Sequence, residues 1–396
     1  MRISVTKPPR RHASRVGIAV GILALACTAG FLGFTLAATG QPNRVKDGAT
    51  AAPPARAAST GECGWGTFSS QLHAWPRACW RPFARTSPFN KPIPARPKIR
   101  GNSAAIVAKL LSTGGGPGNL VAGGKPADDY GHPVVYSRAG DPVYTIRCTR
   151  YGCDDLEGRR VRIPVGARPA GGSDRHLAVV NQASGYSYDF WEAATPSGSG
   201  GRLNVGSGGV ARVDARGTGL ALDLDRDGRR SEATAARFAL LAGIVRAEEL
   251  AARRIDHALV ITVPCGARRP SHVAPATKGG SLCADNTNRI PMGARLRLNM
   301  TYAGIEALKI ARWKKTILHA FRVYGAYMGD TGGPSSFGVM LESDATYTAF
   351  GVKSRMVGFA AANGWTRWNG AYVGNLRSRV PWSRLQVLDW SDPANR

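Results

Sequence analysis

Residues 173–194 read SDRHLAVVNQASGYSYDFWEAA. Two apolar and aromatic runs, 176–182 and 186–193, flank Ala183-Ser184-Gly185, small residues that suit a hairpin turn. Setting Gln182 opposite Tyr186 places Val180 against Tyr188, Ala178 against Phe190 and His176 against Glu192 on one face. Asp174 falls one step further out on that face. In this register His176 and Glu192 form a general acid/base couple that Asp174 orients, with Arg175, Asp189 and Trp191 beside it for substrate. The same pairing also describes a plain ion pair on a sheet edge, and a slip of one residue separates the two side chains.

Strand-like runs recur outward from this hairpin at 133–136, 161–164, 258–263, 295–299, 339–341 and 385–390. Glycine-rich turns separate them, in keeping with 49 Gly and 25 Pro in 396 residues. Helical spacing is confined to 103–112, 233–241, 247–253 and 310–324. The last has Ile310, Trp313, Ile317, Ala320, Phe321 and Tyr324 on one stripe, with Gly325 to end it. This balance predicts a mainly β domain of sandwich or jelly-roll type, decorated by a few helices. Hydrophobic residues make up 43% of the chain and charged ones 20%, enough for a sizeable core, so wholesale disorder is excluded. Glycine shows no three-residue period, which excludes a collagen-like rod.

The N-terminus speaks of export. Arg2, Lys7, Arg10, Arg11 and Arg15 occupy a basic region, 1–15, ahead of an uncharged run at 16–38. That run is close to the ~20 residues that span a bilayer, and basic flanks stay cytoplasmic. It reads as a signal anchor or a cleaved signal peptide. Alanines and prolines at 39–60 read as a linker, and 61–396 as one extracellular β-rich domain. The protein is thus expected on the outer face of the membrane or secreted, touching the membrane through 16–38. Cysteine usage agrees: the neighbours Cys63–Cys79, Cys148–Cys153 and Cys265–Cys283 suggest three disulfides, although spacing alone leaves the connectivity open.

With 53 Lys plus Arg against 26 Asp plus Glu, the net charge is +27, a field that gathers anions. Basic runs with interleaved aromatics are absent, so nucleic acid is not the expected partner; an extracellular or cell-wall glycan, anionic by preference, is. Arg295 and Arg297 share one face of their run and suit carboxylates or sulfates, or else a solvated outer face. His257 opens another apolar run beside Asp256. Asp330 stands in a Gly-rich turn after the apolar stretch 326–329, where a carboxylate serves as a site residue or as a turn former. Asp223, Asp225 and Asp227 begin like a calcium loop, but Thr234 occupies the position that needs Glu and Arg226 opposes a cation, so no cofactor is assigned and calcium is kept as the alternative. The G-x-S-x-G elbow, H-E-x-x-H, Walker loop and dinucleotide fingerprint are all missing, against standard serine-hydrolase, metalloprotease and nucleotide chemistry.

Further motifs carry a resemblance. They are Ser87-Pro88-Phe89-Asn90-Lys91-Pro92-Ile93-Pro94, Asp174-Arg175-His176, Asp256-His257-Ala258-Leu259 and Pro291-Met292-Gly293-Ala294-Arg295-Leu296-Arg297-Leu298. Tyr324-Gly325-Ala326-Tyr327-Met328-Gly329-Asp330 completes the set. Across about residues 85–333 the chain resembles a family of secreted, actinobacterial-type proteins that carries no established activity. The resemblance implies export and a β-rich fold and supplies no reaction. Members often have Trp-Pro-Ala-Arg-His after the Val-Pro strand. Here Ala274-Pro275-Ala276-Thr277-Lys278 stands there, without the Trp and His.

Nine Trp and eleven Tyr in an exported β-rich chain offer stacking surfaces for sugars. The expectation is therefore a protein acting on extracellular polysaccharide, as a glycoside hydrolase or a polysaccharide lyase, with Asp174, His176, Glu192 and Asp330 as catalytic candidates. The alternative is a non-catalytic cell-wall or carbohydrate-binding protein.

Overall fold

Residues 81–395, apart from 113–115, 182 and 333–336, are described by a computed structural model. They belong to one compact unit, 56–396. The apolar run 16–38, the linker 39–60 and the expected Cys63–Cys79 bridge lie outside the described residues. Among the described residues no helix is long and apolar enough to cross a membrane.

The first strands are β1 (Asn119–Gly123), β2 (Val134–Ser137), β3 (Val143–Cys148), β4 (Arg160–Arg162), β5 (Leu177–Asn181), β6 (Tyr186–Trp191), β7 (Gly201–Val205) and β8 (Ser207–Arg212). There follow β9 (Leu259–Val263), β10 (Arg295–Leu298), β11 (Ala326–Thr331), β12 (Gly338–Val339), β13 (Thr366–Trp368), β14 (Ala371–Asn375) and β15 (Leu385–Val387). The helices are α1 (Ser103–Ser112), α2 (Ala247–Ala252), α3 (Tyr302–Glu306), α4 (Arg312–Val323), α5 (Ala345–Thr348) and α6 (Arg355–Ala362). Sheet predominates, as the spacing predicts. The strands form four sheets, ordered β12-β9-β11-β10-β15, β2-β5-β6-β8, β1-β14-β13 and β4-β3-β7. Three pairs, β9 with β11, β2 with β5 and β3 with β7, are parallel. A jelly roll is antiparallel throughout, so the β-rich class holds while the strand directions are mixed.

Strand β5 separates two cores. Ala178 and Val180 face the larger one, which includes α4 and the five-stranded sheet. Leu177 and Val179 face the smaller one, with Ile146, Leu156 and Phe190. Both faces of β5 are therefore apolar, as in a central strand flanked on each side. Helix α4 buries Trp313, Ile317, Leu318 and Phe321; a fully buried side chain of this size contributes about 1.5–3 kcal/mol. Gly325 ends the helix at φ 72°, its amide bonding to Ala320 O, and a Cβ there would meet Leu296 O at 2.4 Å.

Two local expectations fail for identifiable reasons. Residues 233–241 are not helical. Ala233, Ala236, Phe238, Ala239, Leu240 and Leu241 are all buried, which leaves no polar face. The segment's amides bond elsewhere instead: Ala236 N donates to Gly329 O at 3.0 Å, and Phe238 N donates to Thr234 Oγ1 at 2.9 Å. In the hairpin, Asn181 rather than Gln182 faces Tyr186, and Leu177 faces Phe190. The Asn181 Oδ1 accepts from the amides of Ala183 and Ser184 at 3.0 and 3.1 Å, which starts the turn one residue early. The register is thus one step from the expected one, and His176 does not face Glu192.

Candidate functional site

Asp330 occupies the C-terminal end of β11, just past an irregularity between Met328 and Asp330 in the pairing with β9. Such a bulge re-aims the side chain that follows it. The Asp330 carboxylate accepts from Thr331 N at 2.7 Å. It is a strand residue rather than part of a free turn. Burial pushes its carboxyl up to about 7; the amides of Thr331 and Ala235 and the Lys278 charge resist this, and the Asp174 charge adds to it.

Asp174 thus lies within electrostatic reach of Asp330, and it also acts on His132. His176 packs edge to face on His132, with ring centroids 4.7 Å apart. The His132 Nδ1 is 2.6 Å from Leu240 O, so it carries the proton that bonds there, and Nε2 has no hydrogen-bond partner among the described residues. Burial, with His176 alongside, holds His132 down to about 3; burial holds His176 down to about 4. Both imidazoles are neutral at physiological pH. Of the expected residues, Asp174 is thus within electrostatic reach of Asp330, and His176 joins them through its contact with His132. The structure adds His132 and Lys278, which sequence reasoning missed. Lys278 comes from the 274–278 stretch, carried on the loop that Cys265–Cys283 closes with a Cα–Cα distance of 5.0 Å. His132 had one signal, its place just before an apolar strand after a glycine.

The other expected residues are placed elsewhere. Glu192 adopts φ 49°, donates its amide to Asp174 O at 2.7 Å and pairs its carboxylate with Arg150. Trp191 is stacked on Tyr151 at 5.6 Å between centroids, so one indole face is already covered. Asp189 is fully buried rather than facing substrate. It accepts from Ser187 Oγ at 2.5 Å and from Leu240 N at 2.8 Å, and burial pushes it up to about 6. Beside it, burial and the Asp189 charge hold Glu232 well above the usual carboxylate range. These two carboxyls fasten segment 231–241 over β8, and Gly209 permits the contact, since a Cβ would sit 1.9 Å from Ser231 O.

His257 sits in a separate buried network, with Nε2 3.0 Å from Glu249 Oε1 and Nδ1 3.0 Å from Ala258 O. Arg295 is not in a groove: it is buried, donating to the carbonyls of Tyr324 and Lys91 and lying over the Tyr327 ring. Arg297 donates to Gln386 Oε1 at 2.9 Å. These two arginines brace the C-terminal segment. Arg175, at φ 43°, does reach a cleft of about 420 Å³, which Lys125 and Arg168 also line.

Both described disulfides form as expected, Cys148–Cys153 and Cys265–Cys283, and such bridges fit an oxidising compartment. In the calcium-like loop both Asp223 oxygens accept backbone amides, from Asp227 and Gly228 at 3.1 Å each. Asp227 lies beside Arg229. Asp223, Asp225 and Asp227 are not gathered as metal donors. The one such cluster among the described residues, Cys148, Cys153 and Glu157, has its sulfurs committed to the disulfide.

Chemically, the site couples a carboxyl that titrates near neutrality, a second carboxylate, a lysine and two neutral imidazoles. This set can deliver and take back a proton. No protein-family model, curated protein or solved structure matches the chain.

Proposed function

We propose that this is an exported protein that cleaves extracellular polysaccharide, with Asp330 as proton donor and Asp174 as its carboxylate partner. The observation that carries this reading is Asp330 itself, half-buried at the end of a strand, re-aimed by a bulge and held near pH 7 with a second carboxylate in reach. Glycoside hydrolysis needs such a pair, one acid kept protonated and one carboxylate kept ionised. The cleft lined by Arg175, Arg168 and Lys125, together with Asp129 and Asp344, would hold sugars of the chain. The two disulfides and the N-terminal basic and apolar segments support an extracellular place of work, secreted or held at the membrane.

Release of reducing ends from a panel of purified extracellular and cell-wall polysaccharides tests the reading. Asp330→Asn and Asp174→Asn should each lower the rate about a hundredfold or more while the fold is kept. Absence of cleavage on every polymer would leave the non-catalytic, glycan-binding alternative, which the exposed Trp368 favours.

A further inference from the structure

We propose that the outer face of the β1-β14-β13 sheet is a binding platform for a neutral glycan chain, with Trp368 stacking on a sugar ring. This rests on the glycan reading above but not on the Asp330–Asp174 pair.

The strand registers decide which residues share that face. Asn119 lies opposite Asn375, Val121 opposite Val373, and Trp368 opposite Ala371. The alternate residues Leu120 and Ala122 are buried on the inner side, where Trp365 lies against Gly374. A Cβ at Gly374 would be 2.6 Å from that indole, so the inner face is closed. Among the described residues nothing covers the outer face. Trp368 is 70% exposed and Val121 44% exposed, and together they line a groove of about 580 Å³. Grooves of roughly 300–1,000 Å³ are the size that holds small ligands and oligomer segments.

The chemistry of the groove selects the occupant. A sugar ring presents an apolar face of C–H groups and a rim of hydroxyls. The indole supplies the stacking partner, and Asn119, Thr366 and Asn369 supply amides and a hydroxyl that make no side-chain hydrogen bond among the described residues. Among the described residues no lysine or arginine lines the groove, and Asp128 is its one ionisable group. In a chain of net charge +27 that is a local exception. An anionic polymer, whether nucleic acid or uronate, finds no counter-charge here. Arg367 points to the other side of β13, over the Tyr372 ring. The platform is therefore chemically unlike the charged cleft of Arg168 and Arg175.

Native-gel retardation of the purified protein in soluble neutral xylan and β-glucan, backed by sedimentation with cellulose, tests the platform. Retardation should survive a rise in NaCl from about 0.05 to about 0.5 M, because stacking is not screened. Trp368→Ala should weaken it tenfold or more with an unchanged circular-dichroism spectrum, and Trp368→Phe should keep part of it. Unchanged binding by Trp368→Ala, loss of binding with salt, or no retardation by any neutral polymer would overturn the proposal. Binding without cleavage supports the platform and removes the catalytic reading; cleavage without neutral-glycan binding removes the platform alone.

Discussion

The imidazoles of His132 and His176 meet edge to face, with their ring planes at 71° and both side chains buried. Among the described residues neither His176 nitrogen makes a full hydrogen bond, and the Ala233 backbone is the one nearby group that favours a proton there. The folded-state value of about 4 lies below the ordinary histidine value of 6.5. Stability from this group is therefore present above about pH 6.5 and is lost as the pH falls toward 4. His176→Phe removes the titration. Relative to the parent, the variant should gain about 2 kcal/mol between pH 7 and pH 5 in urea unfolding. A difference that stays constant over that range would refute the buried neutral histidine.

Asp330 predicts the opposite sign. Its folded-state value is raised from 3.8 to about 7, so its contribution is present below about pH 4 and lost as the pH rises through 7. Asp330→Asn keeps the acceptor for Thr331 N and cannot ionise. Against the parent it should gain about 2 kcal/mol between pH 5 and pH 8 in the same measurement. If Asp330 is also the proton donor, the rate of glycan cleavage by the parent should fall as the pH rises past 7.

Glu192 should matter little. Its ion pair with Arg150 is partly exposed, with 56% of the arginine side chain open to solvent. Glu192→Gln is expected to cost under about 1 kcal/mol and to leave any cleavage rate nearly unchanged. A hundredfold loss of rate would restore it to the catalytic set.

The bridge Cys265–Cys283 spans 18 residues and holds the loop that brings Lys278 to Asp330. Replacing both cysteines by serine should lower stability by about 3 kcal/mol, read as a drop in thermal midpoint. The Lys278 charge lowers the Asp330 value, so the high-pH limb of any activity profile should move up in the same variant. An unmoved limb would show that Lys278 reaches the site without the bridge.

Much of this protein is determined by local chemistry. The stripe from Trp313 to Phe321, ended by Gly325, is a helix in the sequence and in the structure. The runs that become β5, β6, β9 and β10 are legible as strands from their β-branched and aromatic residues. Cys148–Cys153 and Cys265–Cys283 pair as their spacing suggests. Residues Asp174, His176 and Asp330 were also legible as candidates, because polar groups at the ends of apolar strands stand out.

Tertiary structure decided the rest. Register is specified by which face is buried, and β5 buries both, Ala178 and Val180 in one core and Leu177 and Val179 in the other. The pattern therefore cannot choose between two registers one residue apart, and the Asn181 turn chooses instead. That single step moves Glu192 away from His176. Likewise Arg295 alternates like a surface residue but is buried, because the carbonyls of Lys91 and Tyr324 arrive from distant parts of the chain to satisfy it. The meeting of His132, His176, Asp174, Lys278 and Asp330 joins segments more than a hundred residues apart. Only the packing of the sheets brings them within electrostatic reach.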